Sequence, residues 1–305
     1  MSFRLYRLVF LASVLLTGCS GAGEESTHPL RVALIPADGG TEDGTRADYE
    51  PVFEFVEKAT SLTFEISVGQ SYNAVVEAMC SGAADIAFLG PVTYLQARHR
   101  GCAELLAVGV DDGVSVYYAG IFAQARGDIR SIEDLEGRSI ALGDVNSTSS
   151  FVFPLAMILD AGIDPIRDLG AIRLTGSHAN SLASLVQGQV DAAAASFDSF
   201  EKAVRQNAID PREVRAIGRS AEIPFPPLVM RRQLPEALKT ELRAAFASVH
   251  RMDGMRPGML RGYAGRQIDR YEVAFDPTKF DVTAAVMARV DKDLKAAIVE
   301  QAGAR

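Results

Sequence analysis

The chain has 305 residues, 48% of them hydrophobic, with 31 Lys and Arg against 39 Asp and Glu for a formal net charge of −8. That length and apolar content can bury a large core and suggest about two domains of ordinary globular character. The acidic balance and the lack of a basic stripe exclude nucleic acid as a partner.

In chain order the first feature is an address. MSFRLYR carries two arginines and no acid, LVFLASVLL is a short apolar run, and Leu16, Thr17, Gly18 and Cys19 close it. This is the pattern of a secretory signal, too short to span a bilayer. LTGC resembles the bacterial lipobox, in which the cysteine becomes the lipidated first residue of the mature chain. Residues 1–18 therefore read as a lipoprotein signal peptide and 19–28 as a tether, placing the protein on the periplasmic or cell-surface side of a bacterial membrane. Removing residues 1–18 takes away Arg4 and Arg7 and no acid, which leaves 29 basic and 39 acidic side chains and a charge of −10.

Strands and helices then alternate. RVALIP, FEISVG, ADIAFLG and AELLAVGV are short apolar or β-branched runs, separated by the amphipathic segments DYEPVFEFVEKAT and YNAVVEAMCSG, which is the rhythm of a parallel sheet. SVYYAGIFAQA makes one long extended run. SIEDLEG follows with a capping-box form, Ser131 and Asp134. The rhythm then restarts with the strand RSIALGD, the helix FVFPLAMILDAG, the strand AIRLTG, the helix NSLASLVQG, the strand VDAAAAS and the helix SFEKAVRQNA. Sliding SYNAVVEAMCSGAADIAFLGPVTY (71–94) onto SHANSLASLVQGQVDAAAASFDSF (177–200) leaves no gap and sets Gly82 on Gly188, Asp85 on Asp191 and Tyr94 on Phe200. Two equivalent α/β lobes follow from that register.

Export makes the compartment oxidising. With Cys19 assigned to lipidation, Cys80 and Cys102 form an even pair, each just before a strand; were those strands parallel neighbours, both cysteines would share a sheet edge. A structural disulfide is the preferred reading. The alternative is a thiolate site for a soft ligand such as a metal or arsenite, although no histidine cluster stands near to complete it. No metal or cofactor is otherwise expected.

The stretch GDVNSTSSFVFP places Ser147, Thr148, Ser149 and Ser150 between a strand and a helix, where one N-cap would suffice. A helix N-terminus offers unpaired amides and the positive end of the dipole. Hydroxyls beside it can surround a tetrahedral oxyanion without bringing in a full positive charge. GSHAN offers a second such end with His178 as ring donor, and Tyr72 and Tyr94 stand on equivalent loops of the first unit. Read singly, the tyrosines are packing residues, Ser150 is a helix cap, and Asp198 caps SFEKAV.

Taken together, LRVALIP, SYNAVVEAMCSGAADIAFLGPVTY, DIRSIEDLEGRSIALGDVNSTSSFVFP, GSHANSLASLVQGQVDAA and IDRYEVAFDPTKFD resemble the PhnD family, the periplasmic phosphonate, phosphite and phosphate binding proteins of ABC importers. The resemblance implies a two-lobed α/β, type II periplasmic binding fold with a ligand cleft between the lobes. Lobe one would hold residues 29–115 and 222–305, and lobe two 116–221, with crossings near Ser115 and Ala221 that permit hinge closure. The C-terminal helices PEALKTELRAAFASVHRM and VTAAVMARVDKDLKAAIVEQ would pack on lobe one. Oxyanion contacts would come from Tyr72, Tyr94, Ser147, Thr148, Ser149 and His178. Members carry a glycine after S-T-S where this chain has Ser150, a further hydroxyl. Asp198 stands where members place an acidic or polar selector, able to hold the ammonium of an aminoalkyl phosphonate, or to accept a P–OH and repel sulfate.

The function implied is that of an extracytoplasmic solute-binding lipoprotein, not an enzyme, which hands a phosphorus oxyanion to an ABC permease. The alternative is an oxyanion sensor, for arsenite or arsenate among others, presenting its ligand to a histidine kinase. A more remote one is an exported serine hydrolase built from Ser147, His178 and Asp198, which lacks the G-x-S-x-G elbow.

Overall fold

The computed structural model describes residues 28–37, 42–256 and 258–304, so the signal segment and Cys19 lie outside the described residues. The chain runs β1 (Leu30–Leu34), α1 (Glu42–Ala59), β2 (Phe64–Val68), α2 (Tyr72–Ser81), β3 (Ile86–Phe88), α3 (Pro91–His99) and β4 (Ala103–Val110). A short strand β5 (Val116–Tyr117) leads to β6 (Ala119–Gln124), β7 (Ser139–Leu142), α4 (Phe153–Asp160), β8 (Ala171–Leu174), α5 (His178–Val186), β9 (Ala192–Ser196), α6 (Phe197–Arg205) and β10 (Val214–Arg219). Return is through β11 (Ile223–Pro224), then β12 (Pro227–Arg231), α7 (Glu236–Ser248), β13 (Arg270–Glu272), α8 (Asp281–Arg289) and α9 (Lys292–Gly303).

These strands form two sheets of one plan. The first has the order β13-β4-β12-β3-β1-β2 and the second β10-β6-β9-β7-β8. In each, the central strand pairs in parallel with the strands on both sides of it, β1 with β2 and β3, β7 with β8 and β9. The strand beyond, β12 or β6, is antiparallel and arrives through the crossover. Parallel strands are covered on both faces, which is why Val32, Leu34, Ile86, Ile140 and Leu142 are each 0% exposed.

The repeat seen in the sequence is a repeat of local chemistry. Ser71 caps α2 by accepting the Ala74 amide, and Ser177 caps α5 by accepting the Asn180 amide. Gly82 and Gly188 end those helices at φ 77° and 68°, where a side chain would be strained. Asp85 accepts the Arg31 amide at the head of β1, and Asp191 accepts the Ser139 amide at the head of β7. The aspartates tie each returning strand to the central strand of its sheet. β9, the run AAAAS, is a poor strand former by composition. It persists because it is fully buried in mid-sheet, where small side chains let the turn at 148–152 and α5 lie close against it.

Three expectations change. SVYYAGIFAQA breaks at Tyr118, whose carbonyl accepts the Phe197 amide. On one side β5 pairs with β11 as a two-stranded link between the sheets, and on the other β6 joins the second sheet. The C-terminal helices do not all pack on the first sheet. α7 does so, against β4 and β13, but α8 lies between α3 and α4 and α9 lies on β8 of the second. Arg289 to Asp160 and Gln301 to the Ile166 carbonyl fasten this third passage.

The third change concerns the cysteines. Their strands are not neighbours, because the antiparallel β12 stands between β3 and β4. Cys80 near the end of α2 is bonded to Cys102 just before β4, with Cα atoms 4.7 Å apart and a sequence separation of 22. Closing a loop of that size should contribute roughly 3 kcal/mol by restricting the unfolded chain. Replacing both cysteines with alanine should lower the unfolding free energy by about that amount in urea titration, and an unchanged midpoint would show that the bond is dispensable.

Candidate functional site

The hydroxyl run forms a capped turn of unusual pitch. Ser147 is the N-cap, φ −71° and ψ 132°, and its Oγ accepts the Ser150 amide at 3.2 Å. The Val152 amide reaches back to the Ser147 carbonyl at 3.0 Å and the Phe153 amide to that of Thr148, a five-residue spacing that makes Thr148–Val152 a π turn ahead of α4. Pro154 has no amide for the Ser150 carbonyl, which accepts Gly143 N–H instead at 3.0 Å. The approach there is close enough that a Cβ on Gly143 would stand 2.1 Å from Ser150 Oγ. Ser150 is thus not the cap: its hydroxyl donates to Ser147 Oγ at 2.8 Å. All four hydroxyl residues are at most 2% exposed.

This turn faces the heads of helices in the other sheet. Thr148 Oγ1 accepts the Val92 amide, in the first turn of α3, at 2.9 Å, which leaves the threonine hydrogen to donate. The Tyr72 amide, opening α2, donates to Asp144 Oδ2 at 3.3 Å. The His178 amide, opening α5, donates to the Ala37 carbonyl at 3.0 Å. Gln96 to Asn146 at 3.0 Å and Lys202 to Asp48 extend the same seam. Burial raises the Asp144 carboxyl above the usual carboxylate range, opposed by the Asn146 and Tyr72 amides and by Lys295 of α9.

His178 is 1% exposed and held from both ends. Its Nδ1 accepts the Ser196 amide at 2.9 Å, so the proton of the neutral ring belongs on Nε2. Nε2 lies 3.1 Å from the Tyr263 hydroxyl and 3.4 Å from Ser147 Oγ. The Tyr263 hydroxyl also meets Ser196 Oγ at 3.1 Å and Ser199 Oγ at 3.2 Å. Tyr117 completes the group. Burial raises its pKa above that of an ordinary tyrosine, with the neighbouring hydroxyls of Ser149 and Thr148 acting the other way, so it stays protonated and able to donate. The rings of Tyr117, Tyr263, Phe225 and Phe88 wall this side, with centroid separations of 5.4 to 6.3 Å. The donors are hydroxyls, amides and one imidazole, and no Lys or Arg supplies them.

The expected residues therefore divide. Ser147, Thr148, Ser149 and His178 come together, and Tyr72 reaches the seam through its amide. Tyr94 does not join them: its ring lies edge-on to Phe280 at 4.8 Å, and its hydroxyl, raised in pKa by burial, is beside Arg98. The fourth residue of such a helix turns into the packing, as its repeat counterpart Phe200 does against Phe122. Asp198 is 7% exposed, and its carboxylate meets Arg266 Nη1 at 3.3 Å rather than the hydroxyl turn. A hydrolase triad is not formed, since His178 Nδ1 accepts an amide where it would have to donate to a carboxylate. Tyr117, Tyr263, Ser196, Ser199 and Arg266 went unseen in the sequence. The one local signal was GYAG, where Ala264 takes φ 56° to turn Tyr263 inward. Among the described residues no group of His, Cys, Asp and Glu is suited to a metal, and no helix is long and apolar enough to cross a membrane.

A family model for the periplasmic substrate-binding proteins of phosphonate ABC transporters matches residues 39–276. The chain belongs to that family. It is 29% identical over 221 residues to the phosphate-import protein PhnD of Mycolicibacterium smegmatis, covering 67% of each. A binding protein component of a Pseudomonas aeruginosa phosphonate transporter superposes with TM-score 0.73 at 22% identity, over 90% of this chain and 96% of that one. PhnD1 of Prochlorococcus marinus, solved with methylphosphonate, gives 0.72 at 17% over 86% and 98%. The fold is the two-lobed periplasmic binding protein fold, and the family consists of solute-binding proteins rather than enzymes.

Asp198 gives a test of this geometry. Burial raises its carboxyl to about 6, with Arg266 opposing. The folded chain then holds that proton more tightly than the unfolded chain, whose carboxyl titrates near 3.8. The contribution is fully present below the unfolded value and is lost as pH rises through the folded one. In thermal scans from pH 4 to pH 7, the melting temperature of Asp198→Asn minus that of the wild type should rise across about pH 4 to 6. A difference independent of pH would place the carboxylate in solvent.

Proposed function

We propose that this protein captures a small phosphorus oxyanion, a phosphonate, phosphite or phosphate, outside the cytoplasmic membrane and passes it to the permease of an ABC importer. The carrying observation is the turn at Ser147, Thr148 and Ser149, which faces the head of α3 across the seam and has the Nε2–H of His178 beside it in its own lobe. The three hydroxyls, that imidazole and Tyr117 match the oxygens of a tetrahedral anion with donors, and the helix dipoles supply the positive field. Neutral donors suit a protein that must release its cargo. The family and the methylphosphonate bound by the Prochlorococcus relative support the same substrate class.

A ligand at a hundredfold excess over its Kd stabilises by about 2.7 kcal/mol, and for lobes of this size that raises the melting temperature by roughly 5 to 10 °C. Among phosphite, methylphosphonate, phosphate, arsenate and sulfate, at least one phosphorus oxyanion should produce that shift. Ser147→Ala should remove most of it for every ligand, through the lost donor and the loosened turn. A panel without any shift would refute capture of these anions.

The reading includes a lipid anchor at Cys19, supported by LTGC at the end of an apolar run. Cys19→Ser should move the protein from the membrane fraction to the soluble extracytoplasmic fraction. Unchanged retention would mean that the protein is held some other way.

A further inference from the structure

A buried ammonium needs a carboxylate that is not already neutralised. Among the described residues, Asp48, Asp144 and Asp198 stand at the interlobe seam, and each faces a cation. Asp48 of α1 pairs with Lys202 of α6, Asp144 has Lys295 of α9 within electrostatic reach, and Asp198 has Arg266. The last pair matters most for ligand choice. Asp198 precedes Ser199, whose hydroxyl meets that of Tyr263, and its charge is felt at Tyr117, which neighbours Ser149 and Thr148.

Arg266 is fixed in place. Its Nε and Nη2 both donate to Asp111 Oδ2, at 3.0 and 2.8 Å, and Nη1 donates to the Val116 carbonyl at 3.4 Å and to Asp198 Oδ1 at 3.3 Å. Its guanidinium carbon lies 5.7 Å from the centroid of Phe225. Val116 belongs to β5 and Asp111 follows β4, so the side chain is braced against the link between the lobes and cannot swing aside without giving up that anchorage. Beyond it stand the rings of Phe225, Tyr117 and Tyr263.

We propose that Arg266 is a specificity-determining residue: by occupying Asp198 it withdraws the carboxylate beside the Tyr117–Tyr263 wall from ligand binding. The site then takes phosphorus oxyanions whose fourth substituent is hydrogen, hydroxyl or a short alkyl group, and rejects aminoalkyl phosphonates. An incoming ammonium would have to compete with the guanidinium for Asp198, and the face of Phe225 is already covered by that guanidinium. Hydrogen, hydroxyl or methyl makes no such demand. This inference rests on the reading that the seam holds a phosphorus oxyanion.

Calorimetric titration at pH 7.5 with phosphite, phosphate, methylphosphonate and 2-aminoethylphosphonate tests it. The wild type should bind its best non-cationic ligand at least about tenfold more tightly than 2-aminoethylphosphonate. Arg266→Gln should narrow that ratio about tenfold by freeing Asp198, and adding Asp198→Asn should restore it. A smaller wild-type gap overturns the inference, and that comparison decides by itself should the variant not fold. A folded Arg266→Gln protein with an unchanged ratio overturns it as well. Binding of none of the four would instead bring down the capture reading, and this inference with it.

Discussion

Everything in the arrangement depends on helix heads that face one another across the seam without a counter-charge of their own. The amides of Tyr72, Val92 and His178 each open a helix in one lobe and donate to an acceptor in the other: Asp144, Thr148 and the Ala37 carbonyl. Amides at a helix head have no partner in their own helix, and buried amides are costly to leave unpaired. The pairing of these amides across the seam gives the contact between the lobes its polar specificity. The same positive ends make the seam attractive to an anion, so closure and anion capture draw on one property of the backbone.

Around that field the side chains are chosen for neutrality. Ser147, Thr148, Ser149 and Tyr117 donate without charge, and His178 is held in one tautomer by the Ser196 amide. At the rim Asp48 faces Lys202, Asp144 faces Lys295, and Asp198 shares Arg266 with Asp111. Such a balance lets an anion be bound through many moderate bonds, each lost when the lobes part, instead of through a deep ion pair that would slow release. The third chain passage ties the lobes again, since α8 packs against both α3 and α4 beside the turn that carries the hydroxyls.

How far this was legible depends on sequence distance. The caps Ser71 and Ser177, the positive-φ Gly82 and Gly188, and the strand-tying Asp85 and Asp191 are local signals, and the two-lobe repeat follows from them. The hydroxyl turn and His178 were visible for the same reason, as residues at helix heads. Tyr117, Tyr263 and Arg266 were not, because each is placed by chain topology. Tyr263 meets His178 across 85 residues and Arg266 meets Asp198 across 68. Tyr94 misled because a tyrosine one turn into a helix after Gly-Pro looks like a cleft residue, while the helix rotates it toward Phe280. The last helix misled because no local pattern tells which sheet an amphipathic helix covers.

The most direct measurement is a crystal structure of the protein with methylphosphonate. The account predicts the phosphorus centre on the seam, its oxygens within hydrogen-bonding distance of the hydroxyls of Ser147, Thr148, Ser149 and Tyr117 and of His178 Nε2, with the methyl group toward the aromatic wall. Density for the ligand only in the cavity of about 700 Å3 that Asp198 and Arg266 share with Arg205, Arg219 and Arg261, away from the hydroxyl turn, would contradict it.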